Sequence, residues 1–171
     1  MESCTGCDFL SDLPQYSKDG DYQNIKTINS VGTSSWTDGS VKTGKTYYYK
    51  IKTVVKTQNG EQTSGFSNVK SAKAVPAKTT LKAKASDAKN VKLTWSKVKG
   101  ASGYEIYRSN SKDGKCSKVK TISKGSTTSY KNGKLKKSTT YYYKIRAYRK
   151  VNGKKVYGSY SSVVSVKTKA K

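Results

Sequence analysis

Polar and apolar residues alternate most cleanly between Leu135 and Ala147, in the segment LKKSTTYYYKIRA. Tyr141, Tyr143, Ile145 and Ala147 fall on one side, and Tyr142, Lys144 and Arg146 on the other. Period-two alternation of β-forming residues predicts a strand with one buried and one solvated face. Leu135 stands six residues ahead of Tyr141, across a short polar turn. The same device occurs earlier, with Val41 ahead of Thr46-Tyr47-Tyr48-Tyr49-Lys50-Ile51. The central strand is therefore present twice.

The second occurrence sits in a series of seven predicted strands, at 79–86, 90–96, 103–109, 116–122, 127–131, 139–150 and 155–167. Val91, Leu93 and Trp95 alternate on one of them, Tyr104 and Ile106 on another. Turns are marked by Ser86-Asp87, Lys99-Gly100-Ala101, Asp113-Gly114, Asn132-Gly133 and Asn152-Gly153. Long helical periodicity is absent. The expected fold class is all-β, and seven short strands at this spacing are the pattern of an immunoglobulin-like sandwich.

The duplication extends beyond the central strand. At an offset of 94 residues, 22 of the 57 positions from Ser17 to Lys73 are identical to those from Ser111 to Lys167, which identifies a tandem repeat. Ser17-Lys18-Asp19-Gly20 matches Ser111-Lys112-Asp113-Gly114, and Lys26-Thr27-Ile28 matches Lys120-Thr121-Ile122. The copies are unequal. Three strand candidates precede Ser111, whereas only an unusual leader precedes Ser17. The expected domains are an unrelated leader over 1–16, a partial module over 17–74 and a complete module over 76–170. Copy one is expected to be marginally stable, or completed by a preceding segment of a longer array. Pro76 stops the last strand of copy one from running on.

Charge separates the copies further. The net charge is +25. Residues 1–75 carry nine lysines against seven acids; residues 76–171 carry 26 Lys and Arg against three acids. A field of that size favours polyanions such as nucleic acid, anionic wall polymers or acidic headgroups. It equally describes a solvated, lysine-rich surface that keeps strand edges apart. No run of 18 apolar residues occurs, so no membrane insertion is expected. The first residues show neither a basic n-region nor an apolar h-region.

Candidate chemistry is sparse. The sequence has no His, so the commonest general base is missing. Cys4 and Cys7 form a CxxC pair, a weak metal candidate, but the third thiol, Cys116, is distant and no second pair follows. Glu105, Asp87 and Asp113 are the only acids of the second copy. No phosphate loop or dinucleotide fingerprint occurs. Neither a cofactor nor a catalytic role is expected. The candidate binding face is the solvated side of the long strand, with Tyr142, Lys144, Arg146 and Tyr148, joined by Tyr107 and Glu105 from the neighbouring strand. Tyrosines between cations can stack on sugars or bases while the cations hold phosphates. Ordinary cross-strand packing is the simpler use of such residues.

The second copy resembles a fibronectin type III module of the kind repeated in secreted bacterial proteins. The resemblance rests on Pro76, on Trp95 within Val91-Lys92-Leu93-Thr94-Trp95, on Gly103-Tyr104-Glu105-Ile106-Tyr107, and on the corner from Leu135 to Tyr141. Lys137 departs from the pattern, standing where that corner usually has Pro. The resemblance covers 76–168 fully and 17–73 in part. It implies a non-catalytic spacer or binding module at the cell surface or outside the cell. An anionic envelope polymer, a polysaccharide and neighbouring modules of a parent chain are the partners it suggests. A carbohydrate-binding accessory module is the alternative, and a nucleic-acid binder a more remote one.

Overall fold

In this computed structural model residues 6–11, 17–30 and 32–171 are described, with residues 6–11 as backbone alone. The chain divides into two units, Met1–Ala74 and Val75–Lys171. Every strand pairing in both is antiparallel.

The second unit holds β6 (Leu81–Ala85), β7 (Val91–Trp95), β8 (Gly103–Ser109), β9 (Ser117–Ile122), β10 (Ser129–Asn132), β11 (Thr140–Val151), β12 (Lys154–Tyr157) and β13 (Val164–Lys167). They form two sheets, β10-β7-β6 and β9-β8-β11-β12, with β13 also pairing β11. Alternation explains the assembly. Tyr141, Tyr143, Ile145 and Ala147 on β11 and Tyr104 and Ile106 on β8 are buried against Leu81, Val91, Leu93 and Trp95 of the other sheet. Burying apolar side chains is worth roughly 1.5–3 kcal/mol each, so the two amphipathic sheets close on one another. The result is an all-β, immunoglobulin-like sandwich of the fibronectin type III kind, with three strands on one side.

The predicted final strand, 155–167, is two strands. Between them Ser161 keeps the ladder to β11 intact: its N–H donates to the Ile145 carbonyl at 2.7 Å, and its hydroxyl accepts the Ile145 N–H at 3.1 Å. Gly158 lies just before it. A Cβ there would stand 2.3 Å from the Pro76 carbonyl oxygen, so only glycine fits. The β11–β12 turn has positive φ at both Asn152 (48°) and Gly153 (76°), the twist that a two-residue hairpin requires.

The corner ahead of β11 is closed by the Tyr141 hydroxyl, which accepts the Lys136 N–H at 3.0 Å. In the first unit Tyr47 accepts the Lys42 N–H at 2.8 Å in the same way. Of the four positions at which the two corners differ, one is left-handed in both. Ser138 has a φ of 51° where the first copy has Gly44 at 92°. A left-handed conformation costs a non-glycine residue roughly 1–2 kcal/mol, and Ser138 is exposed. Ser138→Gly is expected to stabilise the second unit by about 0.5–1 kcal/mol, after the greater freedom of glycine in the unfolded chain is subtracted. A denaturant midpoint that rises at unchanged slope would show it.

The first unit holds β1 (Gly6–Ser11), β2 (Asn24–Ile28), β3 (Thr46–Thr57), β4 (Gly60–Thr63) and β5 (Lys70–Lys73). Its sheet runs β2-β1-β3-β4, and β5 also pairs β3. The expectation of an unrelated leader does not hold for residues 6–11. β1 lies between β2 and β3, as β8 lies between β9 and β11. Even the irregularity is repeated, falling between Phe9 and Leu10 in one copy and between Ile106 and Tyr107 in the other. The backbone places Asp8 opposite Lys52, as it places Glu105 opposite Arg146. β8 lies at an offset of 97 from β1 rather than 94, because the chain takes three more residues from Asp8 to Ser17 than from Glu105 to Ser111. That hides it from an ungapped comparison. Among the described residues, the first unit has no counterpart of β6 and β7.

Candidate functional site

The outer face of the four-stranded sheet carries the residues singled out from the sequence. Register sets Glu105 opposite Arg146, Tyr107 opposite Lys144, and Gly103 opposite Tyr148. Tyr107, Lys144 and Arg146 are brought together. Tyr142 lies further along β11, opposite Ser109, and is half-buried.

Two residues expected on the solvated side are covered. Glu105 and Tyr148 are each only 1% exposed. Tyr148 lies over Gly103, where a Cβ would stand 2.6 Å from its hydroxyl oxygen. That hydroxyl donates to the Ile122 carbonyl at 3.3 Å. Lys155 covers the ring at 4.5 Å and Tyr157 meets it edge-on. Tyr148 is a packing residue of the outer face, not a free stacking platform.

Glu105 is the hub. One carboxylate oxygen accepts the Tyr107 hydroxyl at 2.8 Å and an Arg146 N–H at 2.9 Å. The other accepts Lys155 Nζ at 3.0 Å and the Tyr157 hydroxyl at 3.2 Å, with Lys118 Nζ at 3.6 Å. Burial works against its charged form, but the hydrogen bonds from Tyr107, Lys155 and Arg146 outweigh it and push its pKa down to about 2. Burial, with hydrogen bonding to Tyr160 and Glu105, pushes the Tyr107 phenol up. A carboxylate that is ionised and fully engaged is no general acid and has no free lone pair for a general base.

The rings around this hub are engaged as well. The Arg146 guanidinium lies 3.7 Å from the centre of Tyr157, 4.9 Å from Tyr160 and 5.4 Å from Tyr107. Lys144 lies 4.4 Å from Tyr160, which meets Tyr107 edge-on at 5.2 Å. Sequence reasoning missed Lys155, Tyr157, Tyr160 and Lys118. The Asn152-Gly153 turn sets Tyr157 opposite Tyr148, so counting across it would have found Tyr157. Tyr160 has a counterpart in Phe66, and Lys50 sits 4.1 Å over that ring. Copy one thus repeats the Lys144–Tyr160 contact.

The opposite sheet presents a simpler surface. Lys84 pairs with Lys92 across β6 and β7, and Lys92 with Lys131 across β7 and β10. All three are exposed. Like charges directly opposite on neighbouring strands are destabilising, and here three stand in one row. Asp87 lies close enough for Lys131 to help depress its pKa, after the larger contributions of the Lys89 N–H and the Asn90 amide. Its carboxylate already accepts those two bonds at 2.8–2.9 Å. A shallow hollow lined by Ser86, Lys92, Ser129, Tyr130 and Lys131 adjoins the row.

Cys4 lies outside the described residues, and so does the side chain of Cys7. Among the described residues no cluster of His, Cys, Asp or Glu could hold a metal ion. No described helix is long and apolar enough to cross a membrane.

No protein-family model matches the chain, and no curated protein matches it. Solved structures do. The FN1–FN3 domains of chicken CNTN1 align over 96% of this chain at 20% identity and a TM-score of 0.49. This chain spans 56% of that one, about half its length. The sixth fibronectin type III domain of human fibronectin type III domain containing protein 3 aligns over 58% of this chain and 92% of its own length, at 18% identity and a TM-score of 0.48. FN3tt aligns over 57% of this chain and 99% of its own length, at 21% identity and a TM-score of 0.46.

Proposed function

We propose that the chain is a non-catalytic structural and binding module of a bacterial surface or secreted protein. In this reading it attaches weakly to anionic envelope polymers such as teichoic acid, through the second unit. The row Lys84–Lys92–Lys131 carries the proposal. Its acidic neighbour Asp87 is engaged by the Lys89 N–H and the Asn90 amide, so a polyanion relieves a repulsion that the fold leaves standing. Residues 76–171 hold only three acids. Glu105 is enclosed and Asp87 is held by its own turn, which leaves the cationic field largely unopposed.

The sugar-stacking alternative draws less support. Tyr148 is buried, and Arg146 and Lys144 occupy the rings of Tyr107, Tyr157 and Tyr160. A double substitution of Tyr142 and Tyr148 to Ala would not separate sugar from polyanion binding, because it also disturbs packing.

The test is binding of the whole chain to purified wall polymer, long-chain polyphosphate and a neutral glucan across a salt series. Polyanion binding is expected at low salt and is expected to fall steeply toward physiological salt. Replacing Lys84, Lys92 and Lys131 together by Gln should lower the slope of log affinity against log salt by about 2, at roughly 0.7 per phosphate contact on a flexible strand. Salt-resistant binding to the glucan, or an unchanged slope, would overturn the proposal.

A further inference from the structure

Resting on the polyanion reading above, we infer that the anion site of the second unit continues past the lysine row onto one end of the sandwich, and that it holds a single flexible phosphodiester chain by its phosphates alone. Three stretches build that end: the turn at 86–90, the loop at 133–139 and residues 168–169. Lys84 stands two residues ahead of Ser86, Lys92 two beyond Asn90 and Lys131 two ahead of Gly133. Side chains alternate along each strand, so the row is the last outward-facing one before that end. Beyond it come Lys89, Lys134, Lys136, Lys137 and Lys169, all exposed. Cations thus continue from the face over the rim.

The backbone of this end is tied together. The Leu135 N–H donates to the Lys89 carbonyl at 3.0 Å, and the Ser138 N–H to the Lys169 carbonyl at 3.1 Å. The Thr168 hydroxyl donates to the Lys136 carbonyl at 2.7 Å and accepts the Thr139 N–H at 3.0 Å. Gly133 allows the close approach: a Cβ there would stand 2.7 Å from Asn90 Oδ1. The fold thus groups the lysines before any ligand arrives, which leaves only their own stems to be ordered on binding. Ser109 pairs with Tyr142, so the loop after β8 lies at the same end. Its acid, Asp113, stands in a turn between Lys112 and Lys115. The other acid of this end, Asp87, is held by Lys89 and Asn90.

The residue types name the ligand. Each of these cations is Lys, a point charge on a flexible stem, rather than Arg, whose planar fork grips one phosphate bidentately. Lysines set at the interstrand spacing of about 4.8 Å suit phosphates repeated along a chain. Neither the outward positions of β6, β7 and β10 nor the three stretches carry an aromatic side chain. The ring nearest the row, Tyr130, packs against the core. Nothing here stacks on a base or a sugar ring. A polymer of phosphates joined by small polyol units meets these terms, and a single-stranded nucleic acid is held no better than its backbone alone.

The experiment measures binding of the full chain, across a salt series, to poly(glycerol phosphate), an oligothymidylate and an abasic oligonucleotide with equal numbers of phosphates. One variant carries Lys89→Gln, Lys137→Gln and Lys169→Gln with Lys134→Asn, since Asn tolerates the φ of 59° at that position. Its slope of log affinity against log salt for poly(glycerol phosphate) is expected to fall by about 3, at roughly 0.7 per phosphate contact. The same four positions as Arg are expected to keep the parent slope. The two oligonucleotides are expected to bind equally. A parent-like slope in the first variant would overturn the inference; if replacing the row still lowered the slope, the polyanion reading would stand without it. Unchanged slopes in both variants would sink both. A slope lost equally in the arginine form would also overturn the inference, because the effect would then not be one of charge. Tighter binding of the oligothymidylate than of the abasic chain would assign the site to nucleic acid instead.

Discussion

Trp95→Ala is expected to destabilise the second unit by about 3–5 kcal/mol, the range for removing a buried tryptophan. Trp95 is 6% exposed at the end of β7 and packs at 5.4 Å on Tyr104. Tyr104 is fully buried, and its hydroxyl accepts the Val98 N–H at 3.0 Å and donates to the Gly125 carbonyl at 3.3 Å. Loss of the indole therefore opens a void and loosens a ring that ties two loops to the core. Among the described residues the indole N–H has no partner. An unpaired buried donor carries its own penalty, so Trp95→Phe removes a cost together with some packing and should lose only about 1 kcal/mol. Hydrogen exchange of the β11 amides reports the second unit by itself. A loss under about 1 kcal/mol for the alanine variant would mean that the core is centred elsewhere.

The second unit's core was legible because alternation names a face directly. Tyr141, Tyr143, Ile145 and Ala147 read as inward from spacing alone, and all four are buried. Alternation does not say whether the other face is covered. Tyr148 and Glu105 lie on the expected side of their strands, yet side chains reaching back from β12 and the segment after it enclose them. That cover depends on a turn geometry and on long, flexible side chains, neither of which has a period. β1 was hidden for a different reason. Its six residues hold one short apolar pair, Phe9-Leu10, and three extra residues between it and Ser17 break the repeat offset. The lysine row needed register across three strands. Its alternating positions were visible, but which lysine meets which follows only from the pairing.

Glu105→Ala is expected to cost about 3–5 kcal/mol, because it leaves Arg146 and Lys155 beside a covered site without their counter-charge. The cost belongs to the broken pair rather than to the intact one. Replacing Glu105 by Leu and Arg146 by Met together should recover most of it, since buried ion pairs exchange for apolar packing at little net loss. Acid provides an independent check. The folded-state pKa of Glu105, about 2, lies below its ordinary value of 4.5. A depressed carboxylate contributes stability that is fully present above the unfolded pKa and is lost as pH falls through the folded one. The second unit should thus hold its stability down to about pH 5 and lose on the order of 3 kcal/mol by about pH 2 from this group. Glu105→Gln should be weaker at neutral pH and lack this part of the acid loss, because an amide has no proton to gain; what remains of the fall comes from groups such as Asp87. Denaturant midpoints of the parent and the Gln variant at pH 7, 4.5 and 2 decide the matter. Parallel acid profiles would show that Glu105 is a spectator and that the tyrosine–cation face is held by its rings alone.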